Sequence, residues 1–495
     1  MERKLYQLII SRLDGEKLSS ASYREKAVRL AGKGIGGFIL FGGGKDEVRS
    51  FIDRLQSVSE IPLFIASDIE RGAGQQVAGA TRFPSAMAIA AAIDRNKPND
   101  VTILRDAIDA VADEALGLGI NMPFIPVLDV NTNPDNPIIC TRAFSDDPEE
   151  VAWYGGIYIT GLEDRGLISC AKHFPGHGDT SIDSHMELPV ISKSVKELNA
   201  VDIMPFREAV KAGVSSIMIG HLVIPAIDTL PASLSEKMIT GVLRKDLGFE
   251  GLVLTDALNM SALSKLNHVP AKCINAGVDI LLHPADADSV VEELKAAVAS
   301  GEVEEGRIDA AVKRILRFKA KIKTEKPQIN YERHAALSAM LSDKSVTLIK
   351  DPAGLLPLNN VQNVCLMFAG DEDMGKISPL RSFVPEVLPI SAAQDLSRKT
   401  VIFAVFTTVA AWRGSSGIRE EDIHSIKEII RSSRHSIVIS FGSPYVLRHF
   451  MEADMLIAAY DTTGQAQLSV IRHLKGETGS RGRLPVALDS KHPAV

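Results

Sequence analysis

The sequence predicts an α/β protein in which a (β/α)8 barrel of the TIM type is followed by a smaller αβα sandwich. Eight short runs rich in Ile, Val and Leu occur within the first part of the chain, and they are continuous rather than alternating. Such runs are typical of strands buried on both faces of a parallel sheet. The stretches between them are long enough for crossover helices, and eight strand-helix units favour a closed barrel over an open sheet.

The first domain is predicted to cover residues 1–322. Apolar residues at helical spacing in Glu197–Ala212 and Ser289–Ser300 predict two of the crossover helices, and the basic amphipathic stretch Val303–Ile322 predicts a closing helix. The predicted strands are Leu5–Leu13, Gly37–Phe41, Pro62–Asp68, Asn121–Asp129, Leu167–His173, Ser215–His221, Gly251–Asp256 and Val278–His283.

A polar segment with a proline follows, and we assign residues 323–344 to a linker. The pattern of apolar runs then restarts, which predicts an αβα sandwich over residues 345–495. Polar motifs are few there, so a packing or regulatory role is expected. The runs are Val346–Lys350, Val364–Gly370, Thr400–Thr408, Ser436–Gly442, Met455–Asp461 and Leu484–Leu488, with a helix predicted over Glu421–Arg434.

Composition excludes several classes of protein. The 495 residues are 45% hydrophobic and 24% charged, which suits a globular protein rather than a disordered one. A net charge of −7 without a basic block argues against a nucleic-acid partner. The four cysteines form no CxxC pair, so we expect buried thiols rather than disulfides or a zinc site. The sequence has neither a signal-peptide core nor a membrane span, which predicts a cytoplasmic protein without a membrane partner.

Six of the predicted strands end in an ionisable side chain. In a (β/α)8 barrel these ends meet at the face where active sites form. Core packing explains such a set poorly, because each charge at the barrel mouth would need its own partner. The strand-end residues are Asp68, Asp129, Lys172 with His173, His221, Asp256 and His283.

The segment after the fifth strand, Lys172–Pro189, holds three histidines, two aspartates, a lysine and a glutamate. Pro175 and the glycines that follow it exclude a regular helix, so the segment is predicted to be a catalytic or binding loop. A metal site is an alternative, with nitrogen ligands from the three histidines, His173, His177 and His185, and a carboxylate from Asp179 or Asp183. The spacing matches no helical HExxH pattern, and we predict no metal or other cofactor.

Asp183 and His185 are two residues apart on this loop. A carboxylate at that spacing can accept the imidazole N–H, which fixes the tautomer and makes His185 a general acid/base. The best candidate nucleophile is Asp256, because the sequence holds no GxSxG motif and Cys170 lies within a strand. An aspartate nucleophile facing a proton donor is the arrangement of a retaining glycosidase.

Lys172–Pro189 resembles the signature of glycoside hydrolase family 3, in its β-N-acetylglucosaminidase branch. The likeness continues through most of the chain, in the segments 34–41, 68–72, 126–131, 142–144, 216–221, 248–256, 345–350 and 355–358. The resemblance implies a (β/α)8 barrel followed by a sandwich, and hydrolysis with retention through a glycosyl-enzyme. It implies that Asp256 is the nucleophile and that His185, paired with Asp183, is the acid/base. It also implies that sugar hydroxyls are bound by Asp68, Arg142, Lys172 and His173.

Two positions depart from the family pattern. Gln76 stands where many relatives have an arginine, which Arg82 could replace, and Ala257 stands where many have a second aspartate. Both departures bear on sugar preference. The expected substrate is a small carbohydrate, a terminal β-linked N-acetylglucosamine of peptidoglycan fragments or of chitin oligosaccharides. The alternatives are a phosphorylase, a β-glucosidase or β-xylosidase of the same family, a sugar-binding protein without activity, and a metal-dependent hydrolase.

Overall fold

The structure is a computed structural model that describes residues 1–184, 187–323, 326–358, 360–391, 395–410, 413–479 and 481–489. Its strands, numbered in chain order, are β1 Ile9–Asp14, β2 Gly37–Phe41, β3 Phe64–Ser67, β4 Met122–Pro123, β5 Cys170–Phe174, β6 Ser216–Ile219, β7 Leu252–Thr255, β8 Leu281–Leu282, β9 Thr347–Lys350, β10 Val364–Gly370, β11 Thr400–Thr407, β12 His435–Gly442 and β13 Met455–Ala458.

The α-helices are α1 Glu2–Gln7, α2 Ala21–Gly32, α3 Lys45–Val58, α4 Ala86–Ala92, α5 Pro98–Leu118, α6 Pro148–Asp164, α7 Val195–Ala200, α8 Met204–Lys211, α9 Val269–Ala276, α10 Ala287–Ala299, α11 Glu305–Lys319, α12 Tyr331–Ser345, α13 Glu372–Lys376, α14 Leu380–Phe383, α15 Glu420–Ser432 and α16 Gly464–Leu474. A π-helix spans Lys237–Asp246. None of the described helices combines the length and apolarity needed to cross a bilayer.

Contacts divide the chain into two compact units. The first comprises Met1–Arg82, Arg105–Val130 and Pro148–His334, and the second comprises Phe83–Leu104, Asn131–Asp147 and Ala335–Val495.

The first unit holds eight parallel strands in two sheets, ordered β4-β3-β2-β1-β8 and β5-β6-β7. Two parallel bridges, Val127 with Lys172 and Leu254 with Ile280, join the sheets on both sides. The strands therefore follow one another in chain order around a ring, as in a TIM-type barrel. Strands such as β3, β5, β6 and β7 are buried at every position, which explains why they are continuous apolar runs in the sequence.

The helices of this unit follow the expected physical rules. Helix α3 buries Val48, Phe51, Ile52 and Leu55, which lie on one face at spacings of three and four residues. Helix α7 begins with a capping box, in which the Ser194 hydroxyl accepts the Glu197 N–H and the Glu197 carboxylate accepts the Ser194 N–H.

Two predicted elements differ in the structure. The run Leu5–Leu13 is not one strand, because residues up to Gln7 form α1 and the strand begins at Ile9. The predicted helix Glu197–Ala212 is two helices, α7 and α8. Pro205 lies in the first turn of α8, where its missing N–H costs no hydrogen bond.

The second unit is built on one five-stranded sheet ordered β10-β11-β12-β13-β9, with β9 antiparallel to β13. Alternate residues of β11 pack into two different apolar clusters. Phe403 packs with Ile426 of α15, whereas Ile402 packs with Val470 of α16. Both faces of the sheet are therefore covered. The predicted strand Leu484–Leu488 does not form. Leu484 and Leu488 instead pack against the α15 cluster from an irregular segment.

Candidate active site

The residues after β3 and within β5 form a buried cluster of charges in the first unit. Lys172 Nζ lies 2.6 Å from Asp68 Oδ1 and 2.7 Å from Glu70 Oε1. The Lys172 side chain is 1% exposed, whereas that of Asp68 is 30% exposed. The ammonium group is thus held by two carboxylates, one of which also reaches open space, where it can bind a ligand hydroxyl.

His173, the next residue along β5, is oriented by a buried carboxylate. Its Nδ1 lies 2.7 Å from Oδ2 of Asp129, and the other oxygen of Asp129 accepts the His177 N–H at 2.7 Å. Complete burial would raise the pKa of Asp129, but the two histidines outweigh burial and the pKa is lowered. An ionised acceptor requires the proton on Nδ1, so Asp129 fixes the His173 tautomer with Nε2 on the opposite edge of the ring.

His177 holds the loop that follows β5. The Thr180 hydroxyl donates to the His177 carbonyl, so its oxygen accepts from Nδ1 of the ring at 2.8 Å. Nε2 then accepts from the Ser184 hydroxyl at 2.9 Å. Burial lowers the pKa of His177 to about 4, so the ring is neutral at physiological pH. The neutral ring therefore ties the start of the loop to Ser184 near its tip.

The base of the same loop is fixed by Lys193 and Asp202. Lys193 Nζ lies 2.9 Å from Asp202 Oδ2 and 3.3 Å from Asp179 Oδ2. Burial raises the pKa of Asp202 to about 6, although Lys193 opposes the shift. Gly176 has φ 128°, and a Cβ there would come within 2.7 Å of the Asp202 Cβ. Only glycine fits at this turn.

Asp183 is buried, with 2% of its surface exposed, and it directly precedes Ser184, the residue bound by the His177 ring. His185 and Met186 lie outside the described residues. The pairing of Asp183 with His185 therefore stays a prediction.

Asp256 follows β7 and is half-buried. Its backbone N–H donates to the Ile219 carbonyl at 2.9 Å, and one carboxylate oxygen accepts the Ala257 N–H at 2.7 Å. The side chain is therefore held at the carboxyl end of its strand, at the same end of the ring of strands as Asp68.

His283, after β8, connects these groups electrostatically. Burial lowers the pKa of His283 to about 4, Arg12 lowers it further, and the carboxylates of Asp68 and Asp256 oppose the shift. Asp68 follows β3 and Asp256 follows β7, so both carboxylates lie at the carboxyl ends of strands in the same ring. The candidate sugar ligand and the candidate nucleophile thus lie at the same end of the barrel.

Three other positions singled out in the sequence, Gln76, Arg82 and Arg142, differ in their surroundings. Gln76 donates from Nε2 to the Asp68 carbonyl at 3.1 Å, so it supports the backbone of the charge cluster. Arg82 is exposed at the end of the first segment of this unit. Arg142 belongs to the second unit, in the turn Cys140–Arg142, where Nη1 donates to the Ile138 carbonyl at 3.1 Å. Its predicted contact with sugar stays a prediction.

Three contacts were not predicted from the sequence: that of Glu70 with Lys172, that of Asp129 with His173, and that of His177 with the loop residue Ser184. Asp129 carried a signal, because it ends a predicted strand beside the one that ends at His173. Glu70 lies in a turn, and its direction could not be read from spacing. Groups of three or more His, Cys, Asp or Glu arranged to hold a metal ion do not occur among the described residues.

A barrel with carboxylates, a lysine and histidines at the carboxyl ends of its strands is the architecture of many enzymes that act on small molecules. Residues 1–318 match the family described as the glycosyl hydrolase family 3 N terminal domain, and the chain belongs to this family.

Several curated proteins are similar in sequence. The chain is 35% identical over 380 residues to a beta-hexosaminidase A of Pseudoalteromonas piscicida, covering 67% of this chain and 62% of that protein. It is 32% identical over 348 residues to a beta-N-acetylglucosaminidase/beta-glucosidase of Cellulomonas fimi, covering 66% of this chain and 61% of that protein. The chain therefore spans about three fifths of the length of these two relatives.

Solved structures are similar over almost the whole chain. A glycoside hydrolase family 3 beta-N-acetylglucosaminidase from Paenibacillus sp. str. FPU-7 superposes with a TM-score of 0.84 at 27% identity, covering 99% of both chains. A beta-glucoside phosphorylase, BglX, superposes with a TM-score of 0.87 at 25% identity, covering 99% of this chain and 94% of the other.

Proposed function

We propose that this chain is a retaining exo-β-N-acetylglucosaminidase that removes terminal β-linked N-acetylglucosamine from small glycans. Family membership and the names of the similar proteins support the activity. The observation that carries the proposal is the position of Asp68 and Asp256 at the carboxyl ends of β3 and β7 in one ring of parallel strands, because a sugar ligand and a nucleophile must face the same hollow. In this proposal residues 1–322 are the catalytic barrel, residues 323–344 are the linker and residues 345–495 are an αβα sandwich.

In the proposed mechanism the sugar lies against the charge cluster. Asp68, Lys172 and His173 bind its hydroxyls. Charged hydrogen bonds at this position hold the ring, and those to the Asp68 carboxylate strengthen as positive charge develops in the transition state. The pairing of Lys172 with two carboxylates orients the ammonium group before the sugar arrives, which lowers the entropic cost of binding.

The chemistry proceeds in two displacements. His185 gives its proton to the glycosidic oxygen while a carboxylate oxygen of Asp256 attacks the anomeric carbon, which breaks the glycosidic bond and forms a glycosyl ester. His185 then takes a proton from water, and the water oxygen attacks the anomeric carbon and releases Asp256. Two inversions leave the sugar with its original β configuration. Asp183 stabilises the charged imidazole before the first displacement and again after the second.

Relative rates test this function directly. Initial rates on an aryl β-N-acetylglucosaminide are expected to exceed those on the matched aryl β-glucoside at equal concentration. A faster reaction with the glucoside would favour the β-glucosidase alternative. The similar protein of Cellulomonas fimi is named for both activities, beta-N-acetylglucosaminidase and beta-glucosidase, so the two substrates must be compared.

Phosphorolysis is the second candidate, since BglX is similar over nearly the whole chain. A histidine acid/base, unlike a glutamate, does not repel an incoming phosphate. The two reactions differ in product, because water gives the free sugar and phosphate gives the sugar 1-phosphate. We expect phosphate to leave the rate unchanged, with free N-acetylglucosamine as product. A rate that rises with phosphate, with release of the 1-phosphate, would replace hydrolysis by phosphorolysis.

The acid role of His185 predicts a dependence on the leaving group. His185→Ala is expected to lose little activity on a dinitrophenyl glycoside and far more on an alkyl glycoside, because a stable phenolate departs without protonation. The measurement is kcat/KM for a series of aryl glycosides with rising leaving-group pKa. Equal losses throughout the series would contradict the acid role.

The natural substrate is proposed to be a peptidoglycan fragment, and the compartment to be the cytoplasm. No nucleic acid, membrane or cofactor takes part in the proposed reaction.

A further inference from the structure

His221 is a buried histidine that the proposed mechanism does not use. It follows β6, the strand that pairs with β7, and its side chain is fully buried. Its Nδ1 lies 2.8 Å from the Ser233 hydroxyl oxygen, and its Nε2 lies 3.2 Å from the Ala257 carbonyl oxygen.

These contacts fix the tautomer of the ring. A carbonyl oxygen can only accept, so Nε2 must carry the proton that it gives to Ala257. Nδ1 of the neutral ring is then an acceptor, and the Ser233 hydroxyl donates to it. Ser233 lies in the turn Ala232–Leu234, whose first residue donates its N–H to the Leu222 carbonyl at 2.8 Å. The ring is therefore held by the loop after β6.

Ala257 is held at both of its backbone groups. Its carbonyl accepts from His221, while its N–H donates to Oδ1 of Asp256 at 2.7 Å. The N–H of Leu258 donates to the Leu282 carbonyl at 2.9 Å and fixes the following residue. The carbonyl and the N–H of Ala257 belong to successive peptide units joined at its Cα, so a shift of the carbonyl would also move the N–H that holds the Asp256 carboxylate.

We propose that His221 is a positioning residue, which holds Asp256 in its attacking orientation through the backbone of Ala257. The inference rests on the proposed function, because it concerns the orientation of the Asp256 carboxylate in that reaction. Since alanine has no polar side chain of its own, the backbone contacts with His221 and Asp256 carry the orientation at this position.

Replacement of the ring tests the proposal. His221→Leu removes the donor, and His221→Gln keeps an N–H group that can reach the carbonyl of Ala257. Since misplacement of a reacting group by about 1 Å can cost roughly 100-fold in rate, we expect His221→Leu to lower kcat by roughly 10- to 100-fold with little change in KM. His221→Gln is expected to recover most of that turnover, and Ser233→Ala to fall between the two.

A matched control separates positioning from general stability. His334 is another buried histidine, whose Nδ1 lies 2.8 Å from Glu114 Oε1. His334→Gln is expected to lower the melting temperature while the folded protein keeps the wild-type kcat. All assays are made well below each variant's Tm, on the aryl β-N-acetylglucosaminide.

The outcomes distinguish the two proposals. If His221→Leu or, should that variant not fold, Ser233→Ala keeps the wild-type kcat, the positioning role is wrong although the activity stands. The same conclusion follows if His221→Gln loses as much turnover as His221→Leu. If the wild-type protein does not hydrolyse the aryl β-N-acetylglucosaminide, the proposed function fails and this inference fails with it.

Discussion

Asp256→Ala is expected to lower kcat on an aryl β-N-acetylglucosaminide by on the order of 10⁴-fold, since loss of a nucleophile removes the covalent step altogether. The carboxylate is half-buried at the end of β7 and has one oxygen fixed by the Ala257 N–H. Removing it creates no large cavity in the core, so the melting temperature should stay close to that of the wild-type protein. Steady-state kinetics and thermal unfolding measure the two effects separately.

Added azide provides a second readout of the same variant. A small anion can occupy the space left by the carboxylate and attack the anomeric carbon, which restores turnover and gives the α-glycosyl azide. Asp246→Asn, at an exposed position at the end of the π-helix, is the matched control and should keep full activity. Wild-type turnover in Asp256→Ala would contradict the nucleophile assignment.

Lys172→Met is expected to give the second large effect, because it leaves two carboxylates facing each other without their cation. Lys172 is almost completely buried between Asp68 and Glu70. Breaking a buried ion pair on one side typically costs about 3–5 kcal/mol in the free energy of unfolding. Activity should fall as well, since the ammonium group is a proposed ligand of the sugar. Denaturant unfolding and kcat/KM measure the two losses.

The double variant Lys172→Met with Glu70→Gln serves as the control for this explanation. Removing one of the two negative charges relieves their repulsion, so the double variant should be more stable than Lys172→Met alone, while its activity stays low. A double variant no more stable than the single one would show that charge repulsion is not the cause.

The positions of the strands could be predicted from the sequence because parallel strands buried on both faces carry almost nothing but apolar residues. β2 and β10 have the predicted bounds, and Asp68 and Asp256 lie just beyond the ends of their strands, as predicted. Lys172 instead lies within β5, which continues to Phe174. The predicted start of the first strand was wrong, because α1 buries Leu5 and Tyr6 just before the strand and so lengthens the apolar run.

The partners of these side chains could not be predicted, since each contact joins residues far apart in the chain. Asp129 and His173 are separated by 44 residues, and Ala257 and His221 by 36. Spacing along the sequence fixes which strand carries a residue, but the loop backbone decides which atoms meet. For the same reason the contact of Glu70 with Lys172 was not predicted, although Glu70 lies in the turn after β3, two residues after Asp68.

The central claim is that the carboxylate of Asp256 forms a covalent bond to the sugar. An N-acetylglucosaminyl fluoride that carries a second fluorine at C5 slows both displacements, and its reactive leaving group allows the first to proceed, so that the glycosyl-enzyme accumulates. Peptide mass spectrometry of the inactivated protein should find the added mass of one fluorinated sugar on the peptide that contains Asp256, with fragmentation placing it on that residue. A label on any other residue, or complete turnover of the fluoride without a label, would contradict the account.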